Sequence, residues 1–215
     1  MDVPTALPEK LYLLAYNPEH ERLSATARLD LVLRAAALVE LLRRGLIRDD
    51  GRHPAAVEGA AADGLDPLSA ALLELIREGR RRSWQHWIGR RLGPAGRAGR
   101  VVRDGLAAAG RIRVEEHRIL GIFPGRRITL REPGVRKALA AAVTSALSAP
   151  LSRVDPADAA VVALVDAARL TTALTWRQGR EHRARIQKLA PAAGPVPRAL
   201  RRAIAASRGA EGAAS

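Results

Sequence analysis

The chain has no cysteine. That excludes a disulfide scaffold, thiolate metal sites and a cysteine nucleophile. Aromatic residues make up only 3% of the 215 residues and Phe123 is the one phenylalanine, so the core must be built from leucine, valine, isoleucine and alanine. No run reaches roughly 18 uninterrupted apolar residues, so no membrane-crossing helix is expected. The opening MDVPTALPEK has no basic segment followed by an apolar run, so it does not read as a secretory signal and a cytoplasmic location is expected. The histidines (His20, His53, His86, His117, His182) are scattered without metal-ligand spacing. Neither a phosphate-loop signature nor a nucleophile elbow is present. The expectation is a protein that is not an enzyme, with no catalytic residues, no metal site and no cofactor.

Apolar residues make up 47% of the chain, enough for a globular fold. The net charge is +14 and the isoelectric point about 11.5. Lysine occurs only at Lys10, Lys137 and Lys188, so almost all of the basic charge is arginine. With so much alanine beside it, part of this reflects a GC-rich coding bias. The remainder still favours an anionic partner: nucleic acid, acidic lipid or an acidic protein.

Periodicity predicts a mainly α protein. Residues 7–16 read as a short helix and 17–26 as a polar loop. Residues 27–45 read as a helix apolar nearly all round, which belongs in the middle of a helical domain. Residues 48–64 read as a loop or ragged hairpin. Asp66-Pro67 starts a helix that runs to about Glu78 and stops at Gly79. Residues 81–92 and 97–109 read as helices with a Gly93/Pro94/Gly96 hinge between them. A β-hairpin is expected over about 111–123, turning at Glu115-Glu116-His117, with a further strand at 128–130. Helices follow at 134–148, 156–176, 181–190 and 196–207. The expected architecture is one globular helical domain, 5–207, with a central apolar helix, amphipathic helices around it and one hairpin. Residues 208–215 read as a disordered tail.

Arg34 stands out because only it and Glu40 are charged in the run 31–42. A buried arginine needs an anion, since an unpaired charge in a core costs several kcal/mol. That anion is either Asp30, one turn away on the same helix, or a phosphorylated headgroup or carboxylate in a pocket. Arg97, Arg100 and Arg103 recur every three residues, a ladder suited to gripping phosphate or to facing solvent. Ile119, Leu120, Ile122 and Phe123 form an apolar run that is either a buried strand or a contact with a membrane or another copy of the chain. Trp84 and Trp87 read as core or rim. Asp63 and Asp66 read as loop and N-cap residues, and Glu115-Glu116-His117 as a solvated turn.

Four stretches in this order resemble the Golgi phosphoprotein 3 family and its bacterial, actinobacterial branch. They are LPEKLYLLAY, LRAAALVELLRRGLI (33–47), GLAAAGRIRVEEHRILGIFPGRRITL (105–130) and DAAVVALVDAARL (158–170). The resemblance implies a helical core with one prominent hairpin and no catalytic activity. It implies a peripheral protein on the inner face of a membrane, binding phosphoinositide (phosphatidylinositol 4-phosphate in eukaryotic members) or another anionic headgroup. It further implies partners among the cytoplasmic tails of membrane enzymes. The family's early pocket arginine falls on Arg34 and its paired arginines on Arg97 and Arg100, with Arg103 as the alternative partner. The family's pocket tryptophan is replaced by Ala25. A homo-oligomer through the hairpin is a further expectation.

The rival reading is a winged-helix-like, nucleic-acid-binding regulator, because a helix, Gly110 and a hairpin follow one another. The helix before that hairpin, GRVVRDGLAAAG, lacks the mixed polar face of a recognition helix. A third reading is a structural oligomer whose basic surface reflects genome composition alone.

Overall fold

A helix that is apolar on every side needs neighbours on every side, and the computed structural model shows what supplies them. It describes residues 3–24, 26–90, 96–119 and 123–212; of residues 26–27, 116–119, 123–126 and 210–212 it describes only the backbone. In chain order the elements begin with α1 (Leu7–Ala15), β1 (Tyr16–Asn17), β2 (Arg22–Leu23), α2 (Thr26–Arg43), β3 (Ile47–Asp49) and β4 (Pro54–Ala56). Then come α3 (Pro67–Glu78), α4 (Trp84–Gly89), α5 (Ala98–Ala108), β5 (Ile112–Ile119) and β6 (Phe123–Leu130). The rest is helical: α6 (Pro133–Ser148), α7 (Pro156–Ala168), α8 (Trp176–Glu181), α9 (Arg183–Leu189) and α10 (Val196–Gly212). The sheets are three separate antiparallel pairs. The fold is therefore mainly α, as the periodicity predicts.

α2 is the hub. Leu33, Leu38 and Leu41 are fully hidden on it, and so are Ala35, Ala36 and Ala37 between them. The alanines let other helices approach closely, and α1, α3, α4, α5, α7 and α10 all pack against α2. α7 is equally apolar and has Val162, Leu164 and Val165 fully buried. Each such leucine or valine contributes about 1.5–3 kcal/mol by leaving water.

Some helix ends are capped from within. Asp66 accepts from the Leu68 and Ser69 N–H groups at 3.1 Å and starts α3, with Pro67 next. Other ends have no local cap and borrow one from a distant helix. Glu40 on α2 accepts the Leu7 N–H at 3.3 Å at the start of α1, while its other oxygen holds Arg44 at 2.8 Å. Arg185 on α9 donates to the Ala146 carbonyl at 2.9 and 3.0 Å, at the end of α6. Buried helix ends need such partners, since their backbone groups have none inside the helix.

Four boundaries differ from the sequence reading. The hairpin extends to Leu130, with Ile112 opposite Leu130 and Ile119 opposite Phe123. Glu115 and Glu116 are therefore not its turn. They lie within β5, in register with Arg127 and Arg126; Arg127 itself binds Glu21 at 2.7 Å and Glu115 binds Arg113 at 3.0 Å. Ile112 and Ile128 are buried and tie the hairpin's base to the body. The helix expected over 156–176 stops at Ala168, where Arg169 turns left-handed (φ 52°). Thr175 and Gln178 then form a capping box that starts α8. α4 is shorter than expected because Ser83 caps it, accepting from the His86 N–H at 3.2 Å. α10 continues through Arg208 to Gly212, where a disordered tail was expected.

Candidate anion-binding site

The end of α4 and the start of α5 meet the first half of α2. Asp30 lies in its second turn and Arg34 one turn later. Arg97 has no side chain able to cap α5, so its first turn lacks a local acceptor. Asp30 supplies one, taking the Gly99 N–H at 2.8 Å. A side chain at position 99 would stand 3.3 Å from that carboxylate, so the glycine permits the approach. Asp30 therefore caps α5 and is not an ion-pair partner of Arg34.

Arg34 is 4% exposed. Its Nε donates to the carbonyl of Ile88, near the end of α4, where carbonyls lack intrahelical partners. Among the described residues no carboxylate lies within 4 Å of its guanidinium, and Nη1 and Nη2 have no acceptor. Burial pulls this guanidinium below its ordinary value, and the charge of Asp30 partly offsets the shift. The group is a largely buried cation whose Nη1 and Nη2 carry four N–H donors without a protein acceptor.

Arg100 adjoins Gly99, the residue bonded to Asp30, and Arg97 lies two positions before it; both arginines are exposed. Arg97 is the N-cap and Arg100 lies in the first turn of α5. Arg103 is differently engaged: its Nε and Nη2 both reach Asp104 Oδ1, at 2.9 and 2.7 Å. Its charge is largely spent, so it is the weakest of the expected site residues. Ile119 and Phe123 pair at the far end of the β5–β6 ladder. Leu120 and Ile122 lie outside the described residues, as does Ala25.

The sequence reading passed over Arg90 and the indole nitrogen of Trp87. The Arg90 guanidinium lies 5.2 Å from the centre of the Trp87 ring, two residues beyond the carbonyl that Arg34 holds. Trp87 itself is core, 1% exposed, and its buried indole N–H has no acceptor among the described residues. Trp84 is also core and donates to Asp49 at 3.0 Å. The only available signal was the crowding of arginine and tryptophan over 80–91.

The arrangement therefore places donors and positive charge where the end of α4 and the start of α5 meet α2. It holds no nucleophile beside a base, and no group of three or more metal-ligating side chains occurs among the described residues. No helix among them is long and apolar enough to cross a membrane. No curated protein matches the chain. A family model described as Golgi phosphoprotein 3 (GPP34) matches residues 7–207, nearly the whole sequence, and the chain thus belongs to that family.

Proposed function

We propose that this protein is a non-catalytic peripheral membrane protein that binds phosphoinositide-type or other anionic lipid headgroups where α4 and α5 meet α2. Arg34 carries the reading. A largely buried guanidinium whose Nη1 and Nη2 have no protein acceptor, with no carboxylate within 4 Å, is costly unless an anion completes it. Arg97 and Arg100 stand beside the same α5 terminus and are free to close over a phosphate. The positive end of the α5 dipole adds to the attraction. The wider basic surface contributes about 1 kcal/mol for each arginine close to an anionic leaflet.

In the same reading the protein adapts membrane enzymes to that leaflet through their cytoplasmic tails. The apolar end of the hairpin, Ile119 to Phe123, contacts either lipid or a second copy of the chain. The test is co-sedimentation with liposomes of phosphatidylinositol, its monophosphates or phosphatidylglycerol, run beside a random-DNA shift assay at the same salt. Preference for phosphorylated headgroups, lost with Arg34→Ala and kept with Arg52→Ala on the exposed β3–β4 loop, supports the reading. Equal loss from both variants means diffuse attraction, and tighter binding to DNA favours the nucleic-acid alternative.

A further inference from the structure

A second concavity lies on another part of the molecule. Its volume is about 810 Å³, and it is walled by the end of α7 with α8, α9 and α10, while Arg28 of α2 reaches its edge. No residue of α4 or α5 lines it, so it is separate from the Arg34 site. The size suits a small organic ligand, for which pockets of roughly 300–1,000 Å³ are usual.

Its charge is one-sided. Arg28, Arg169, Arg180, Arg183 and Arg208 line it, and none of the five has a carboxylate within 4 Å among the described residues. Asp166 is the one carboxylate on the wall, and Arg201 already holds it at 2.7 Å. Arg169 is there at a conformational cost. It sits at φ 52° and ψ 51°, where a helix normally ends on glycine or asparagine, so the position keeps a side chain that the backbone disfavours.

The groove also has an apolar component. Leu174, Ile186 and Ile204 lie buried along it. Trp176 is 66% exposed at its edge in a protein with few aromatics, and the Arg180 guanidinium lies 4.7 Å from the centre of its ring. That stacking orders both groups before any ligand arrives. Guanidinium forks match phosphate oxygens in pairs, and the apolar floor suits a group that leaves water.

We propose that this groove is a second ligand site, which takes a multiply charged phosphate ester bearing an apolar or aromatic group. The phosphate sits among the guanidiniums, and the rest of the ligand lies against Trp176 over Leu174, Ile186 and Ile204. The chemistry has two sources, a free nucleotide or a single-chain phosphomonoester lipid. The proposal is independent of the Arg34 site, whose readout is liposome binding.

The test titrates the full chain with pyrophosphate, ADP and lysophosphatidate below its micelle concentration, by calorimetry and tryptophan fluorescence. Trp84 and Trp87 are buried, so a fluorescence change that disappears in Trp176→Phe comes from the groove. Saturable one-to-one binding of ADP or lysophosphatidate is expected, at least tenfold tighter than pyrophosphate; whichever binds identifies the source. Arg183→Glu and, as a gentler second variant, Arg180→Gln should each weaken it at least tenfold, with Arg52→Glu within twofold. The proposal is overturned if neither amphiphile saturates, if pyrophosphate binds as tightly as both, or if Arg52→Glu weakens binding as much as Arg183→Glu.

Discussion

Replacing Arg34 by methionine separates two roles that one side chain holds at once. Methionine has no charge and ends at about the level of Nε, so it occupies the inner part of the space and removes the buried cation. Removing the cation relieves a desolvation penalty of several kcal/mol. Losing the bond from Nε to the Ile88 carbonyl costs about 1.5–3 kcal/mol, because one partner is charged. The two nearly cancel, so stability without ligand should stay within about 1 kcal/mol of the parent. For a chain of this length that is a shift in Tm of about 2–4 °C in either direction. Binding behaves differently. The two unused guanidinium nitrogens are what an anion would meet, and one lost charged hydrogen bond weakens affinity by roughly 10–150-fold. A urea melt and phosphoinositide liposome co-sedimentation on the same preparation measure both. A loss above about 3 kcal/mol in the melt, with liposome binding unchanged, would refute the reasoning: Arg34 would then be a clamp on α4 and nothing more.

Gly79→Ala should destabilise by about 1–3 kcal/mol, because its Cβ would meet the Leu75 carbonyl at 2.5 Å and the Trp87 ring at 2.9 Å; an unchanged melt would mean that α4 is free to shift. The His86 imidazole is held below its ordinary value by partial burial and then by Arg82 and Arg90. Between its folded value and about 6.5 the unfolded chain binds the extra proton, so stability falls as pH falls through that window. An NMR titration should place His86 below that value and Arg90→Ala should raise it; no change on Arg90→Ala would remove that cause. Ile122→Asp with Phe123→Asp should lower liposome binding or oligomer mass by sedimentation, and a folded variant with both unchanged ends the hairpin-contact proposal.

The parts of this fold that the sequence makes legible are those written locally. The apolar circumference of α2, the Asp66-Pro67 start of α3 and the alternation at Ile112 and Val114 all lie within one short window. The helix ends that use charged side chains from elsewhere were not legible. Glu40 capping α1, Asp30 capping α5 and Arg34 at the end of α4 join residues 33, 69 and 54 positions apart. No pattern in a single sequence announces such a partner. The hairpin boundary has a related reason: Glu115-Glu116-His117 looks like a turn, and the partner that orders Arg127 opposite it is Glu21, 106 positions away. At the candidate site, the isolation of Arg34 was visible as one charge in an apolar run. That Asp30 is committed to Gly99, leaving Arg34 without it, was not.

The position of α2 has a consequence for how the chain is made. The hub is synthesised early, yet two of its contacts, α7 and α10, come from the second half of the chain. α10, with Val196 and Leu200 fully buried, packs against α2 and α4. At about 5–20 residues per second, α2 emerges roughly 10–30 s before α10 does. During that interval α1, α3, α4 and α5 cover part of α2, and the surface that α7 and α10 take stays open. The cover of α2 is therefore complete only once α7 and α10 are available. Until then the nascent chain offers a chaperone the aliphatic face of α2 that α7 and α10 cover.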